Sequence, residues 1–556
     1  MGGGTELLGR DDVAHDEVEL DDLSNQSTGG SWICDNGPYG ARIVSHLIVW
    51  TLLLVPTLIE MTRGWRALWD DATITSQSFR VLSLHPPLLG QYSTVSSGAE
   101  HTIFDPGPLQ YVLLAIPTHL DKGQGSLVGA ALLCGLVISV AIEAIWRTGR
   151  WLGCVAIAFC VADLAWLIPW ILPNLVWNPY MGLFFAMAAI ALAWVVSLGF
   201  FRWWPVLVFV ASVATQTEVF FATVTVSIVV VSPLLAAQRS KPPTRRGWLY
   251  WGIIVGVVCW LVPVIQQFGG RFGNMSAFVD AESKEKALGL TEGLRSLAYP
   301  LTPGPIWLRS SSYKAFVQLG SESILTGALV IIGLLAIAVV AWRTRRRDLS
   351  ALAAVGLVGS LGVLVAISGS PKLHIGNLTY LTPELWVLGI LIWIVVGWSV
   401  VELARALIRW RTAGGPRSIR VRQWNAGTVG VVLVSLALVP VATLGLIQIS
   451  SNSEVDTNQV AQMKKGVRAI EGRVPAGPVV LRFSEASTHT GVLLASSDVI
   501  NIGSGIAWQL TADGWEPITP SWFPPLAAPN AGVQRSDPVA TVVMRGPQVV
   551  RVTIHK

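Results

Sequence analysis

The sequence predicts an all-α polytopic membrane protein of about eleven transmembrane helices, with large outer loops and a small α/β domain near its C-terminal end. Three observations predict it. Of 556 residues, 52% are hydrophobic and only 13% are charged, where a soluble domain carries roughly 25% charged residues. Apolar runs of bilayer length recur along the chain, and a backbone in lipid must satisfy its own hydrogen bonds, which favours helices. The basic residues gather in alternate connections between those runs, the bias that fixes membrane orientation. That bias accounts for the formal net charge of +5 and leaves no reason to expect a nucleic-acid partner. Twenty-five tryptophans suit the same class, because indoles collect at membrane–water boundaries.

Taken in order, residues 1–42 form an acidic tail without apolar periodicity, read as disordered and cytoplasmic. It lacks the basic start of a signal peptide. Residues 43–449 hold the candidate spans 43–62, 126–146, 151–172, 179–201, 203–216, 217–237, 248–268, 324–342, 349–367, 383–402 and 425–447. Arg147 and Arg150, Arg239–Arg246, Arg343–Arg347 and Arg405–Arg422 mark cytoplasmic connections. The N-terminus is then cytoplasmic and the C-terminus extracytoplasmic, in a multi-pass plasma-membrane protein.

Residues 106–120 are apolar but too short for an untilted crossing, and are predicted to lie against the outer membrane face. Gln216-Thr217-Glu218 interrupts the long run 203–237. It is predicted to divide that run into two short spans meeting near the outer surface, where Glu218 can be ionised. Two outer loops are large. The loop 63–125 contains an amphipathic run at Ile74–Leu84, and the loop 269–323 contains a second at Met275–Leu297. Residues 450–556 are predicted to fold as an extracytoplasmic α/β domain. It has a helix near Gln459–Glu471 and strands at Val479–Phe483, Val539–Met544 and Val549–Ile554. Its Trp508, Trp515 and Trp522 either offer aromatic surfaces to sugar rings, or form a small core or rest on the membrane.

Four cysteines (Cys134, Cys154, Cys160, Cys259) lie in apolar spans and Cys34 in the tail, with no CxxC pair, so neither a disulfide nor a zinc site is expected. The chain contains no P-loop, which argues against an ATP-driven transporter.

The chemistry concentrates in the first outer loop. Asp70 and Asp71 are adjacent carboxylates beyond a span, where ionisation costs little desolvation. Either they cap the helix that follows, or they do acid–base work. His85 and His101 share their loop. Lys372 and His374 sit in a short outer connection, as interface anchors or as phosphate contacts. Asn274-Met275-Ser276 and Asn377-Leu378-Thr379 fit the glycosylation sequon.

The run Asp70-Asp71-Ala72, then His85-Pro86-Pro87-Leu88-Leu89-Gly90-Gln91-Tyr92-Ser93, then Asp105-Pro106-Gly107-Pro108-Leu109 resembles the GT-C superfamily of membrane glycosyltransferases. It is most similar to an actinobacterial branch with a D-x-A start, an H-x-P-L-x-G-x-x-S turn and an H-P-G-P-L helix start. The resemblance extends weakly through Gln216-Thr217-Glu218 and Pro263…Gln267…Gly273-Asn274. It implies a transferase that takes sugar from a polyprenyl-phosphate donor on the outer face. The acceptor would be a cell-envelope glycan or glycolipid, as in cell-wall biogenesis, with arabinofuranose and mannose donors the obvious candidates.

Asp70 matches the carboxylate that would deprotonate the acceptor hydroxyl, and Asp71 would raise its pKa or help hold a cation. Two positions depart from the branch pattern: Asp105 stands where a His is expected, and so does Glu218. The leaving phosphate would then be met by Arg80, His85, His101, Arg271, Lys372 or His374, with Gln267 lining the site. A divalent cation held by Asp71 or Asp105 is the alternative; no cofactor is required. Two rival readings are a transporter or flippase of an envelope lipid, and a non-catalytic envelope-assembly subunit. The first would favour charges along a central path and paired halves, and charges well inside spans are few here (Glu143, Asp163, Glu218).

Overall fold

Two polar side chains of the first apolar helix are satisfied locally: Ser45 and Thr57 turn their hydroxyls back to the carbonyls of Ala41 and Leu53, at 2.7 and 2.8 Å. That lets Tyr39–Thr62 (α1) run unbroken for 24 residues, or about 36 Å, enough to cross a bilayer. The protein is described here from a computed structural model, covering residues 39–93, 103–168, 170–236, 242–269, 273–284, 286–299, 323–372, 383–412, 439–447, 457–485, 497–519, 537–545 and 548–555.

After α1 come Trp69–Arg80 (α2), Leu109–Leu120 (α3), Gly125–Trp146 (α4), Trp151–Leu167 (α5), Asn178–Ser197 (α6), Trp204–Thr217 (α7), Ala222–Ala236 (α8) and Pro242–Gly269 (α9). Then follow Asn274–Lys284 (α10), Leu290–Ala298 (α11), Ile324–Arg343 (α12), Arg347–Gly369 (α13) and Glu384–Thr412 (α14). Among the described residues, eight helical stretches are long and apolar enough to cross a membrane, which fits a multi-pass membrane protein. Of the eleven expected spans, those at Trp151–Leu167 and Trp204–Thr217 are shorter apolar helices, and 425–447 is described only from residue 439.

The centre is α6, buried along its whole length. A helix apolar all round belongs in a core, and its alanines at 186, 188, 189, 191 and 193 let α4, α7 and α8 pack closely on it. At the rim, α9 and α12 present Trp251, Val258, Phe268, Leu325 and Ile332 outwards, as lipid-facing helices do. Gly362 on α13 lies so close to the backbone of Thr223 and Val224 that a Cβ would meet three backbone atoms within 2.9 Å. Backbones approach that closely only across small residues.

Two local expectations need correction. Asp70 and Asp71 are not helix caps. The helix α2 begins at Trp69, its N-cap is Leu68 without a side-chain cap bond, and both carboxylates lie in the first turn, where the helix dipole favours negative charge. The stretch Met275–Leu297 is not one helix. It is α10 and α11, separated by Gly289 at φ +87°; Leu288 and Gly289 donate there to the carbonyls of Ser370 and Ser368 at 2.9 and 3.0 Å. The short apolar run forms α3, which buries Tyr111, Leu114 and Thr118 against its neighbours and leaves Val112, Ile116 and Leu120 exposed.

The last described segment folds as Thr457–Glu471 (α15), Pro478–Glu485 (β1), Ser497–Ala512 (α16), Glu516–Ile518 (β2), Val539–Arg545 (β3) and Gln548–His555 (β4). The sheet order is β2-β1-β3-β4, with β1 parallel to β2 and β3, and β4 antiparallel to β3. Both helices pack on one face, where Val479, Leu481, Phe483, Ala540 and Val542 meet Met463, Val467 and Ile506. On its other side α16 packs along α2. Gly505 approaches the Leu68 side chain and the Ala67 carbonyl, and Trp508 meets Phe79 edge-on with ring centroids 5.8 Å apart. Lys122 closes this contact by donating to the Ala512 carbonyl at 2.9 Å. Trp508 is only 2% exposed, and Trp515 packs against the small core. Neither is a free surface for a sugar ring; Trp522 lies outside the described residues.

Candidate functional site

A short antiparallel pairing builds the site. Gly90 donates to the Asp105 carbonyl at 3.0 Å, Asp105 donates to the Gln91 carbonyl at 2.8 Å, and Ser93 donates to Ile103 at 2.9 Å. Gly90 is required there, because a Cβ would sit 2.8 Å from that of Asp105 and 2.9 Å from the Gly107 carbonyl. Gly107 is equally constrained: its Cβ would run into the Gln216 side chain. Gln216 is fully buried and donates to the Cys259 carbonyl at 2.7 Å.

This pairing brings Gln91 and Asp105 beside the start of α2. Asp70 is half-buried, and each of its carboxylate oxygens accepts one bond. Gln91 Nε2 donates to Oδ1 at 2.9 Å, and Trp177 Nε1 donates to Oδ2 at 2.9 Å. Gln91 is itself oriented by the Tyr111 hydroxyl, which donates to its Oε1 at 3.2 Å. Burial pushes the Asp70 carboxyl above the usual range, opposed by the two donors. Asp71 is the next residue, about 100° further round the helix.

Beneath lies a buried acid pair. Asp105 is 2% exposed and Glu218 6%. One amide nitrogen, Asn178 Nδ2, donates to Asp105 at 3.2 Å, to Glu218 at 3.1 Å and to the Thr217 carbonyl at 3.2 Å, while the Val219 N–H donates to Asp105 Oδ1 at 3.2 Å. Burial, then the charge of Glu218, hold Asp105 well above the ordinary carboxyl range. A third acid, Glu384, is fully buried; neither carboxyl oxygen has a partner among the described residues, and it lies near enough to Glu218 to feel its charge.

These acids do not fit a cation. The contact with the Thr217 carbonyl identifies the Asn178 nitrogen as the atom between Asp105 and Glu218, a donor where a metal needs oxygen. Among the described residues no group of three or more His, Cys, Asp or Glu is arranged to hold a metal. The Asn178 amide thus takes up the space between Asp105 and Glu218.

The other expected contacts separate. Asp70, Asp105 and Glu218 come together. Arg80 lies at the far end of α2, about 15 Å along the axis, and donates to Gln77 and to the His85 carbonyl at 2.9 and 3.2 Å; His85 is exposed. Gln267 caps α10 instead, accepting from Met275 N–H at 2.9 Å and donating to Ser276 Oγ at 2.6 Å. Lys372 is exposed beside Lys286, to whose carbonyl it donates at 3.0 Å. His101, Arg271 and His374 lie outside the described residues.

Sequence reasoning missed Gln91, Tyr111, Trp177, Asn178 and Glu384. Only Gln91 carried a signal, its place inside the H-x-P-L-x-G-x-x-S turn. Asn274 has a different role from its sequon. Its buried amide donates to the Phe104 carbonyl at 2.7 Å and accepts from the Phe104 N–H at 2.9 Å, tying the second outer loop to the residue before Asp105. The second sequon, at Asn377, lies outside the described residues.

No protein-family model matches this chain, and no curated protein matches it. Among solved structures, the crystal structure of the Archaeoglobus fulgidus oligosaccharyltransferase in complex with Zn and sulfate is similar, at 10% sequence identity and a TM-score of 0.40. The likeness covers 88% of this chain and 62% of that one, so this chain spans less than two thirds of that protein. At this score and identity it carries no argument for function.

Proposed function

We propose that the protein is a membrane glycosyltransferase moving a sugar from a polyprenyl-phosphate donor to a cell-envelope glycan or glycolipid, on the outer face of the plasma membrane. The observation that carries it is the Asp70 carboxylate. It is held between Gln91 and Trp177 at fixed orientation, in surroundings that raise its pKa toward the working pH of a general base. In the proposed reaction Asp70 takes the proton of the acceptor hydroxyl as that oxygen bonds to the anomeric carbon. The bond from that carbon to the phosphate oxygen breaks, and the polyprenyl phosphate leaves with the electron pair. Burial of Asp70 disfavours its ionisation and strengthens it as a base. The leaving phosphate needs positive charge, for which His101 and Arg271 are the candidates, since Arg80 and Lys372 stand apart from Asp70.

The test is turnover. The purified full chain in detergent, given labelled polyprenyl-phosphate arabinofuranose or mannose and a glycan acceptor, should release lipid phosphate. Absence of turnover with both donors, together with movement of a labelled lipid-linked sugar across reconstituted vesicles, would favour the transporter reading.

The pH profile supplies a second check. A base must be unprotonated to act, so kcat/KM should fall as pH drops through the raised pKa of Asp70 and stay level above it. Trp177→Phe removes a donor that lowers that pKa. The acid limb should therefore move to higher pH in the variant, as measured by a kcat/KM profile. A limb that stays in place or moves down would separate Asp70 from the titration.

A further inference from the structure

The sheet of the C-terminal domain is covered on one face only. The register places Val480, Arg482 and Ser484 of β1, Thr541, Val543 and Arg545 of β3, and Arg551, Thr553 and His555 of β4 on the other face. Arg482, Arg545, Arg551 and His555 are exposed. Arg482 and Arg551 are two strands apart, about 10 Å in that direction. Arg545 lies diagonally across from Arg551, about 7–8 Å away.

None of the three arginines has an ion-pair or hydrogen-bond partner among the described residues. Among the described strand side chains of this face the one acid is Glu516, at the edge of β2 beside Pro478. Like charges gathered on one sheet face repel, at a cost to the fold, and an anionic partner turns that cost into attraction. The direction of the face limits the partner. The helix α16 lies between the sheet and α2, so the basic face points away from α2, which disfavours a lipid surface.

We propose that this face binds an acidic glycan. The guanidinium groups would engage carboxylates or phosphates of successive residues, bidentately where geometry allows, and Ser484, Thr541 and Thr553 would meet sugar hydroxyls between them. The choice of a glycan over other soluble polyanions rests on the glycosyl-transfer reading of Asp70; the anion site does not.

The test uses the full chain in neutral detergent and a ten-residue oligogalacturonate as probe, with neutral maltodecaose as control. Wild type should bind the oligogalacturonate, more weakly as salt rises, and should not bind maltodecaose. R482Q/R545Q/R551Q should lose at least tenfold in affinity. R482K/R545K/R551K keeps the charge without the fork and should retain most of it, so a folding defect of the first variant cannot pass for the result. Asp70→Asn should bind as wild type does, which keeps failure here distinct from failure of the transferase reading. Absence of oligogalacturonate binding, equal binding of maltodecaose, or full affinity in the Gln variant would overturn the proposal. So would a loss, in that variant, confined to phosphatidylglycerol vesicles or to polyadenylate.

Discussion

Asp70→Asn should lower glycosyl transfer by about 10²–10⁴-fold, the usual worth of a general base, while expression and membrane insertion stay normal. The geometry makes the substitution clean. Trp177 Nε1 can only donate, so the side-chain atom facing it must remain an oxygen, and the new amide nitrogen must face Gln91. Gln91 can turn its amide over, accepting from that nitrogen and donating to the Tyr111 hydroxyl, which is also an acceptor. Each of the three contacts keeps one donor and one acceptor, so the arrangement keeps its shape while the base is lost. A helix-cap role would have predicted nearly intact function, but α2 takes no side-chain cap from either aspartate. Asp71→Asn should do much less. Transfer assays on both variants decide the matter: near-wild-type activity of the Asp70 variant would remove the catalytic role.

Trp508→Ala should cost about 3–5 kcal/mol of stability, the range for a buried Trp cut back to Ala. Part of that loss falls on the contact with α2. Phe79 would lose its edge-on partner while keeping the His119 stack at 4.3 Å and the Lys122 ammonium 5.0 Å above its ring. Because α2 carries Asp70 at its other end, transfer and donor hydrolysis should fall together. Hydrogen exchange in 69–80 should quicken, and a thermal scan in detergent should show a lower transition. A domain that only presents acceptor would behave otherwise: hydrolysis of the donor would survive and exchange in α2 would not change.

The fold was legible wherever composition and periodicity act over one segment. Long apolar runs such as Gly125–Trp146 and Ile324–Arg343 stood out, as did the alternating strands of the terminal sheet. The helix α16 did not, because Gly503 and Gly505 with interspersed Val and Ile dilute the helical pattern. The reason for Gly505 is tertiary: it is small because Leu68 and the Ala67 carbonyl press on it. In the site, Asp70, Asp105 and Glu218 were visible as acids in odd places. Their partners were not, since the bond from Trp177 to Asp70 spans 107 residues and no local signal encodes it. Gln267 misled for the complementary reason: a polar residue beside a span reads as a ligand, and here it caps α10.

The seating of α16 on α2 also sets an order of assembly. Phe79 leaves the ribosome more than 400 residues before Trp508, an interval of roughly 20–90 s at ordinary rates of synthesis. Throughout it, the helix bearing Asp70 lacks the surface that covers it. The membrane core can insert and pack meanwhile, but the site matures only with the last part of the chain, so an interrupted synthesis would leave a protein correctly placed in the membrane and catalytically unfinished.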